Sequence, residues 1–134
     1  MENLRFLSED QVRRLQAEFG TPLFVYDQAS LERQAAVALG FPAPFGLTVR
    51  YAMKACPSAA VLRVLTEAGL HIDASSGWEV HRAIAAGVPA KRILLTAQQL
   101  PEDLAELIGL GTGFNACSLA QLVAFGQACP GQEV

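Results

Sequence analysis

The stretch VRYAMKACP at residues 49–57 decides the fold, because it reads as a β-strand that ends in a cation, a small residue and a proline. Pro57 has no N–H for a sheet and disfavours helical geometry at Cys56, so the strand must end before it. Ser58 then caps a helical pattern. Lys54 is therefore placed at the carboxyl end of a strand, the edge where parallel α/β proteins bind ligands. The alternative is a surface lysine that closes a strand.

This strand–helix unit is repeated along the chain. Strand-like runs begin near Thr48, Leu70, Ile93 and Phe114, and each precedes a helical pattern, while residues 132–134 read as the start of a further strand. Alternation at this spacing is typical of a parallel sheet with right-handed crossovers. Four units are about half of an eight-unit barrel, which takes ~250 residues. The sequence predicts an α/β chain that forms the N-terminal portion of a (β/α)8 TIM-type barrel.

The domain organisation divides at a proline-rich loop. Residues 1–46 predict a helix that begins after Ser8, a short strand at residues 23–26 and a second helix at residues 30–39. Residues 47–134 carry the βα repeats, so residues 1–134 are expected to form one partial barrel domain without a C-terminal β-domain.

Helix limits in the repeats follow from caps and apolar spacing. One helix is expected to begin after Ser76 and to pack through Trp78 and Ala85, among others. The next is expected to begin at Pro101, which suits a first helical turn, and the last to end near Gly126.

Composition excludes several classes of function. The net charge of −3 argues against nucleic acid or an anionic membrane as a partner, and no apolar run is long enough to span a bilayer. The first residues lack the pattern of a signal peptide, which favours a cytoplasmic protein. Cys56, Cys117 and Cys129 form no CxxC pair, so we expect buried reduced thiols and no metal site.

Asp73 lies 19 positions after Lys54, at the end of the next predicted strand. Adjacent parallel strands end on one rim, where a carboxylate can tune a cationic lysine. Asp73 is equally compatible with a strand-end turn, and for Ser76 and Glu79 helix capping is favoured over catalysis.

Four segments, in this order and spacing, resemble a known family: GTPLFVYD at 20–27, YAMKA at 51–55, HIDASSGWE at 71–79 and GFNACS at 113–118. They are similar to the N-terminal half of the pyridoxal-phosphate (PLP) decarboxylases of the diaminopimelate and ornithine decarboxylase group. The GTP opening and the SSGxE turn favour the diaminopimelate branch.

The resemblance implies that Lys54 forms the Schiff base with pyridoxal 5'-phosphate, and that Asp73 and Ser76 belong to the cofactor site. It implies decarboxylation of a small amino-acid substrate by a protein that is a homodimer when intact. The family's stacking histidine, phosphate loop and substrate residues would lie beyond Val134, so the 134-residue chain alone is expected to be inactive. His71 and His81 do not match the stacking histidine and are interpreted as structural.

Three departures from the family pattern leave other interpretations open. Cys56 replaces an asparagine, Cys117 stands at an often acidic position, and residues 98–100 replace a region that often carries lysine. One alternative is a racemase of the alanine racemase type, although residues 56–59 lack its YGHG-like run. The other is a non-catalytic α/β module that binds PLP or nothing.

Overall fold

The computed structural model describes residues 6–134 and shows one four-stranded parallel sheet with the order β1-β2-β3-β4. The strands are β1 (Arg50–Ala52), β2 (His71–Ala74), β3 (Ile93–Leu95) and β4 (Gly113–Phe114). The helices are α1 (Glu9–Phe19), α2 (Gln28–Leu39), α3 (Ala59–Glu67), α4 (Gly77–Ala85), α5 (Leu104–Gly109) and α6 (Leu119–Ala128). The predicted α/β class and the parallel repeat of strand and helix are confirmed.

The two faces of the sheet differ because side chains alternate along each strand. The helix-covered face pairs Ile72 with Ile93 and Leu95 with Phe114, and all four side chains are buried. The other face, called the open face below, is less buried. Its residues on the four strands are Arg50, Ala52, His71, Asp73, Leu94 and Gly113.

The main hydrophobic core lies between the covered face of the sheet and helices α3 to α6. Leu62, Val80 and Leu107 contribute fully buried side chains from three of these helices. Phe114 of β4 stacks on Phe125 of α6 with ring centroids 5.0 Å apart. This packing fixes where each strand ends, and therefore where the following loop begins.

The N-terminal region differs from prediction in two elements, the strand at residues 23–26 and the start of α2. Ser8 caps α1 with a complete capping box, as predicted. Residues 23–26 do not form the predicted strand, because within residues 6–134 they have no ladder partner. Helix α2 begins two residues earlier than expected because Asp27 caps it, with its Oδ2 accepting from Ser30 N at 2.9 Å.

The exposed side of α4 was predicted wrongly. Trp78 is 71% exposed and Ala85 is also exposed, whereas Gly77, Val80 and Ala83 are buried. Apolar side chains three apart define the buried stripe, and Trp78 lies off that stripe.

Two other predictions were also wrong, because helix α5 begins at Leu104 rather than at Pro101 and residues 132–134 form no strand. Helix α6 ends at Ala128, close to the predicted end near Gly126. Ser58 occupies the cap position of α3 but makes no side-chain capping bond.

The cysteines are free, and only Cys129 is buried, because Cys56 is partly buried and Cys117 is exposed. The expectation that all three thiols are buried was therefore wrong. Over residues 6–134, no helix combines the length and the apolar character needed to cross a membrane.

Gly77 is required by a close approach. A Cβ there would lie 3.0 Å from Asp103 Oδ1 and 3.1 Å from Pro101 Cβ. Because His81 holds Asp103, we expect Gly77→Ala to lower the free energy of unfolding by about 1–3 kcal/mol, measured by urea denaturation. Gly126→Ala is the control: its site inside α6 is open, so a gain of ~0.5–1 kcal/mol is expected. Equal changes in the free energy of unfolding for the two variants would contradict the close approach of Pro101 and Asp103 to Gly77.

His71 on the open face supplies a pH-dependent contribution to stability. Among residues 6–134 its Nδ1 is buried without a hydrogen-bond partner, and burial, followed by the charges of Arg50 and Arg92, lowers the pKa of His71. The folded state therefore favours the neutral ring, a stabilising effect that is complete above the unfolded pKa of ~6.5 and is lost as pH falls through the folded pKa.

We expect the free energy of unfolding to decrease as pH falls from about 7 to about 5, and His71→Gln to flatten that decrease. His81→Gln is the matched control and should keep the decrease. Denaturant titrations at several pH values test this, and an unchanged slope in His71→Gln would refute the assignment.

Candidate active site

A cleft of about 860 Å³ lies at the carboxyl ends of the strands. Each strand end contributes to its wall, with Lys54 after β1, Asp73 on β2, Thr96 after β3 and Cys117 after β4. The parallel register brings together residues that are far apart in sequence. The structure therefore places Lys54 and Asp73 in one cleft, as the strand-end argument predicted.

Lys54 lies in a short 3-10 turn, Met53–Ala55, directly after β1. The neighbouring Met53 is fully buried and anchors this turn in the core, whereas Lys54 is exposed. Alternation of a buried and an exposed residue directs the lysine away from the core. Its amine is consequently available in the cleft.

Asp73 extends from the open face of β2 and is bonded to the next strand end. Thr96 Oγ1 donates to Asp73 Oδ1 at 2.7 Å, and Thr96 N donates to Ala74 O at 2.8 Å. The hydroxyl orients the carboxylate and leaves Asp73 Oδ2 free of protein donors among residues 6–134. Thr96 was not among the residues predicted from the sequence, although it directly follows β3 and so lies at a strand end like Lys54.

Ser76 lies at the cleft and caps α4. Its Oγ accepts from Glu79 N at 3.2 Å. The Glu79 carboxylate accepts from Ser75 N at 2.6 Å, one residue before the partner expected in a capping box. Glu79 makes a structural contact at the helix start and does not line the cleft.

The residues that depart from the family pattern separate into two groups. Cys117, Gln98 and Gln99 line the cleft, whereas Cys56 does not. The carbonyl of Cys56 accepts from the Tyr51 hydroxyl at 3.4 Å. The residue packs against a second apolar cluster, which consists of Ala35, Val61, Leu65 and Leu70. Burial, followed by the Cys56 thiol, raises the pKa of Tyr51. Cys56 therefore contacts the residues packed behind the Met53–Ala55 turn and does not form part of the cleft wall.

Neither histidine lines the cleft. His81 Nε2 lies 2.7 Å from Asp103 Oδ2 and joins α4 to the start of α5. This contact also explains why Asp103 precedes α5 without capping it through its side chain.

The family described as "Pyridoxal-dependent decarboxylase, pyridoxal binding domain" matches residues 29–104, which is more than half of the chain. The chain belongs to this family. The assignment confirms the resemblance found in the sequence and the cofactor class, pyridoxal 5'-phosphate. It favours a decarboxylase over the racemase-type alternative.

This chain is similar, along most of its length, to individual pyridoxal-dependent decarboxylases. Diaminopimelate decarboxylase of Streptomyces coelicolor is 38% identical over 123 residues, covering 88% of this chain and 27% of that protein. A crystal structure of diaminopimelate decarboxylase has a TM-score of 0.78 at 35% identity and covers 91% of this chain and 29% of its own.

Lysine/ornithine decarboxylase from Vibrio vulnificus, complexed with putrescine, has a TM-score of 0.74 at 27% identity and covers 90% and 34% of the two chains. The chain thus spans about a third or less of the length of these relatives. The structure is a partial barrel, as predicted.

The cleft has the donor set that a pyridoxal cofactor requires. Lys54 supplies a primary amine for an aldehyde, and Asp73 supplies a carboxylate within the same cleft. Ser76 and the start of α4 supply a hydroxyl and a helix N-terminus, which suit an anionic group. The residues present therefore fit this cofactor.

Proposed function

We propose that the intact protein catalyses PLP-dependent decarboxylation of a small amino acid, with Lys54 as the residue that holds the cofactor. The observation that carries this proposal is the shared cleft of Lys54 and Asp73, built from adjacent strand ends. The family assignment of residues 29–104 supplies the reaction class.

Lys54 has two roles in this proposal. Its primary amine would hold the cofactor at the aldehyde, and its flexible, exposed side chain would let the substrate amine take over that position. When bound, the cofactor supplies an electron sink for the loss of CO₂. Lys54 Nζ would then remain in the cleft, where it can accept and return a proton.

Asp73 and Ser76 are proposed to orient the bound group. Asp73 lies at the rim with one oxygen fixed by Thr96, so its charge has a defined position in the cleft that Lys54 also lines. A carboxylate held in one position can bind a cationic group of the cofactor or substrate without first reorganising. Ser76 keeps its hydroxyl hydrogen for donation, because its oxygen is the acceptor in the cap of α4.

The substrate is proposed to resemble diaminopimelate, because proteins named diaminopimelate decarboxylase are 38% and 35% identical to this chain over 88% and 91% of its length. We further propose a cytoplasmic homodimer. Free cysteines support a reducing compartment. Exposed apolar side chains on α6, at Leu119 and Val123, support an association surface.

Lys54→Ala in the intact protein should reduce CO₂ release from diaminopimelate by ~10³-fold or more, because no other group can hold the cofactor at this position. Lys54→Arg should do no better, since a guanidinium stays protonated. Assays with lysine and ornithine in parallel rank the substrates.

Lys91→Ala is the matched control, because Lys91 is the other lysine of the chain and lies before β3, at the opposite edge of the sheet. It should retain activity. A fully active Lys54→Ala would contradict the proposal.

A further inference from the structure

Gln121 is a buried polar side chain on α6 that joins two loops of the cleft. Its Nε2 donates to Ala97 O and to Gln98 O, both at 2.8 Å, and its Oε1 accepts from Cys117 N at 2.7 Å. Its backbone N donates to Ser118 Oγ at 3.2 Å. Gln121 is only 8% exposed, and its bond to Ala97 O is buried, whereas the other three bonds are partly buried.

The amide of Gln121 matches its surroundings in a way that a carboxylate cannot. Two backbone carbonyls face Nε2, and Ala97 is itself buried, so its carbonyl has no ready access to water. A buried carbonyl without a donor is costly. An amide can donate to both carbonyls and accept from Cys117 N, whereas an ionised carboxylate can only accept.

Glu79 shows the contrast within the same chain. It occupies the corresponding position of α4, three residues after the cap, and its carboxylate accepts from Ser75 N at 2.6 Å. Within the described residues 6–134 no carbonyl is paired with the Glu79 side chain, so an acceptor is sufficient there. Helices α4 and α6 therefore begin with the same pair of cap bonds. Gln121 differs from Glu79 in its two further bonds to the carbonyls of Ala97 and Gln98.

We propose that Gln121 is a positioning residue that fixes residues 97–99 and thereby sets where Gln98 and Gln99 stand in the cleft. Gln98 and Gln99 are exposed wall residues after β3, and their backbone has no regular secondary structure. The bonds of the Gln121 side chain to Ala97, Gln98 and Cys117, called the clamp below, hold this irregular backbone in one conformation. As a consequence that rests on the proposed function, the clamp tunes affinity for the amino-acid substrate.

Hydrogen exchange of the 134-residue chain tests the clamp without any ligand. Gln121→Glu at neutral pH removes both bonds from Nε2 and places a carboxylate against the carbonyls of Ala97 and Gln98. The loop should then open more often, and amide exchange in residues 97–99 should become roughly tenfold faster, or more, than in wild type. Cys117 N should keep its protection, since a carboxylate still accepts from it. Lowering the pH protonates the new side chain, restores one donor and should bring the ratio of exchange rates back towards one.

Glu79→Gln is the matched control and should leave residues 97–99 unchanged. Protection of β2 reports whether the variants fold. If Gln121→Glu unfolds, Gln121→Met tests the clamp instead, because Met has about the length of Gln but no amide group. Exchange should then become faster both in residues 97–99 and at Cys117 N. Wild-type exchange at residues 97–99 in a folded Gln121→Glu or Gln121→Met variant would overturn the proposal.

The functional consequence has a separate measurement. In the intact protein, Gln121→Glu should raise KM for the amino acid about tenfold with a smaller change in kcat, as expected when binding rather than chemistry is disturbed. An unchanged KM would overturn the role in substrate positioning. If the wild-type protein lacked decarboxylase activity, the proposed function would fail while the exchange result would still decide the clamp.

Discussion

The parallel register of the four strands is the constraint on which the site depends. Ala52 pairs with Asp73, and Asp73 pairs with Leu94, so the loops that follow β1, β2 and β3 begin at one edge of the sheet. Buried side chains on the covered face hold that register, because a shift of one residue would expose them. The amine of Lys54 and the carboxylate of Asp73 share a cleft for this reason.

Local signals were sufficient where a structure depends on neighbouring residues. The capping residues Ser8 and Ser76 marked helix starts. Pro57 gave only an outer limit for β1, which ends at Ala52 and is followed by the 3-10 turn Met53–Ala55. The same reasoning failed where partners are distant. Residues 23–26 have the composition of a strand, but a strand also requires a neighbour, which sequence spacing does not reveal.

The candidate site was predicted in part for the same reason. Lys54 and Asp73 were found because each follows or ends a strand, and both lie in the cleft. Thr96 followed the same rule and was overlooked. Gln121 could not be recognised as more than a cap, because its bonds to Ala97 and Gln98 cross more than twenty residues of chain.

Reduction of the PLP-loaded protein with borohydride, followed by peptide mapping, tests the central claim most directly. The reaction fixes the cofactor covalently to the amine that holds it, and the chain contains two lysines. We expect a pyridoxyl label on Lys54, in the turn after β1. A label on Lys91 with Lys54 unmodified would contradict it.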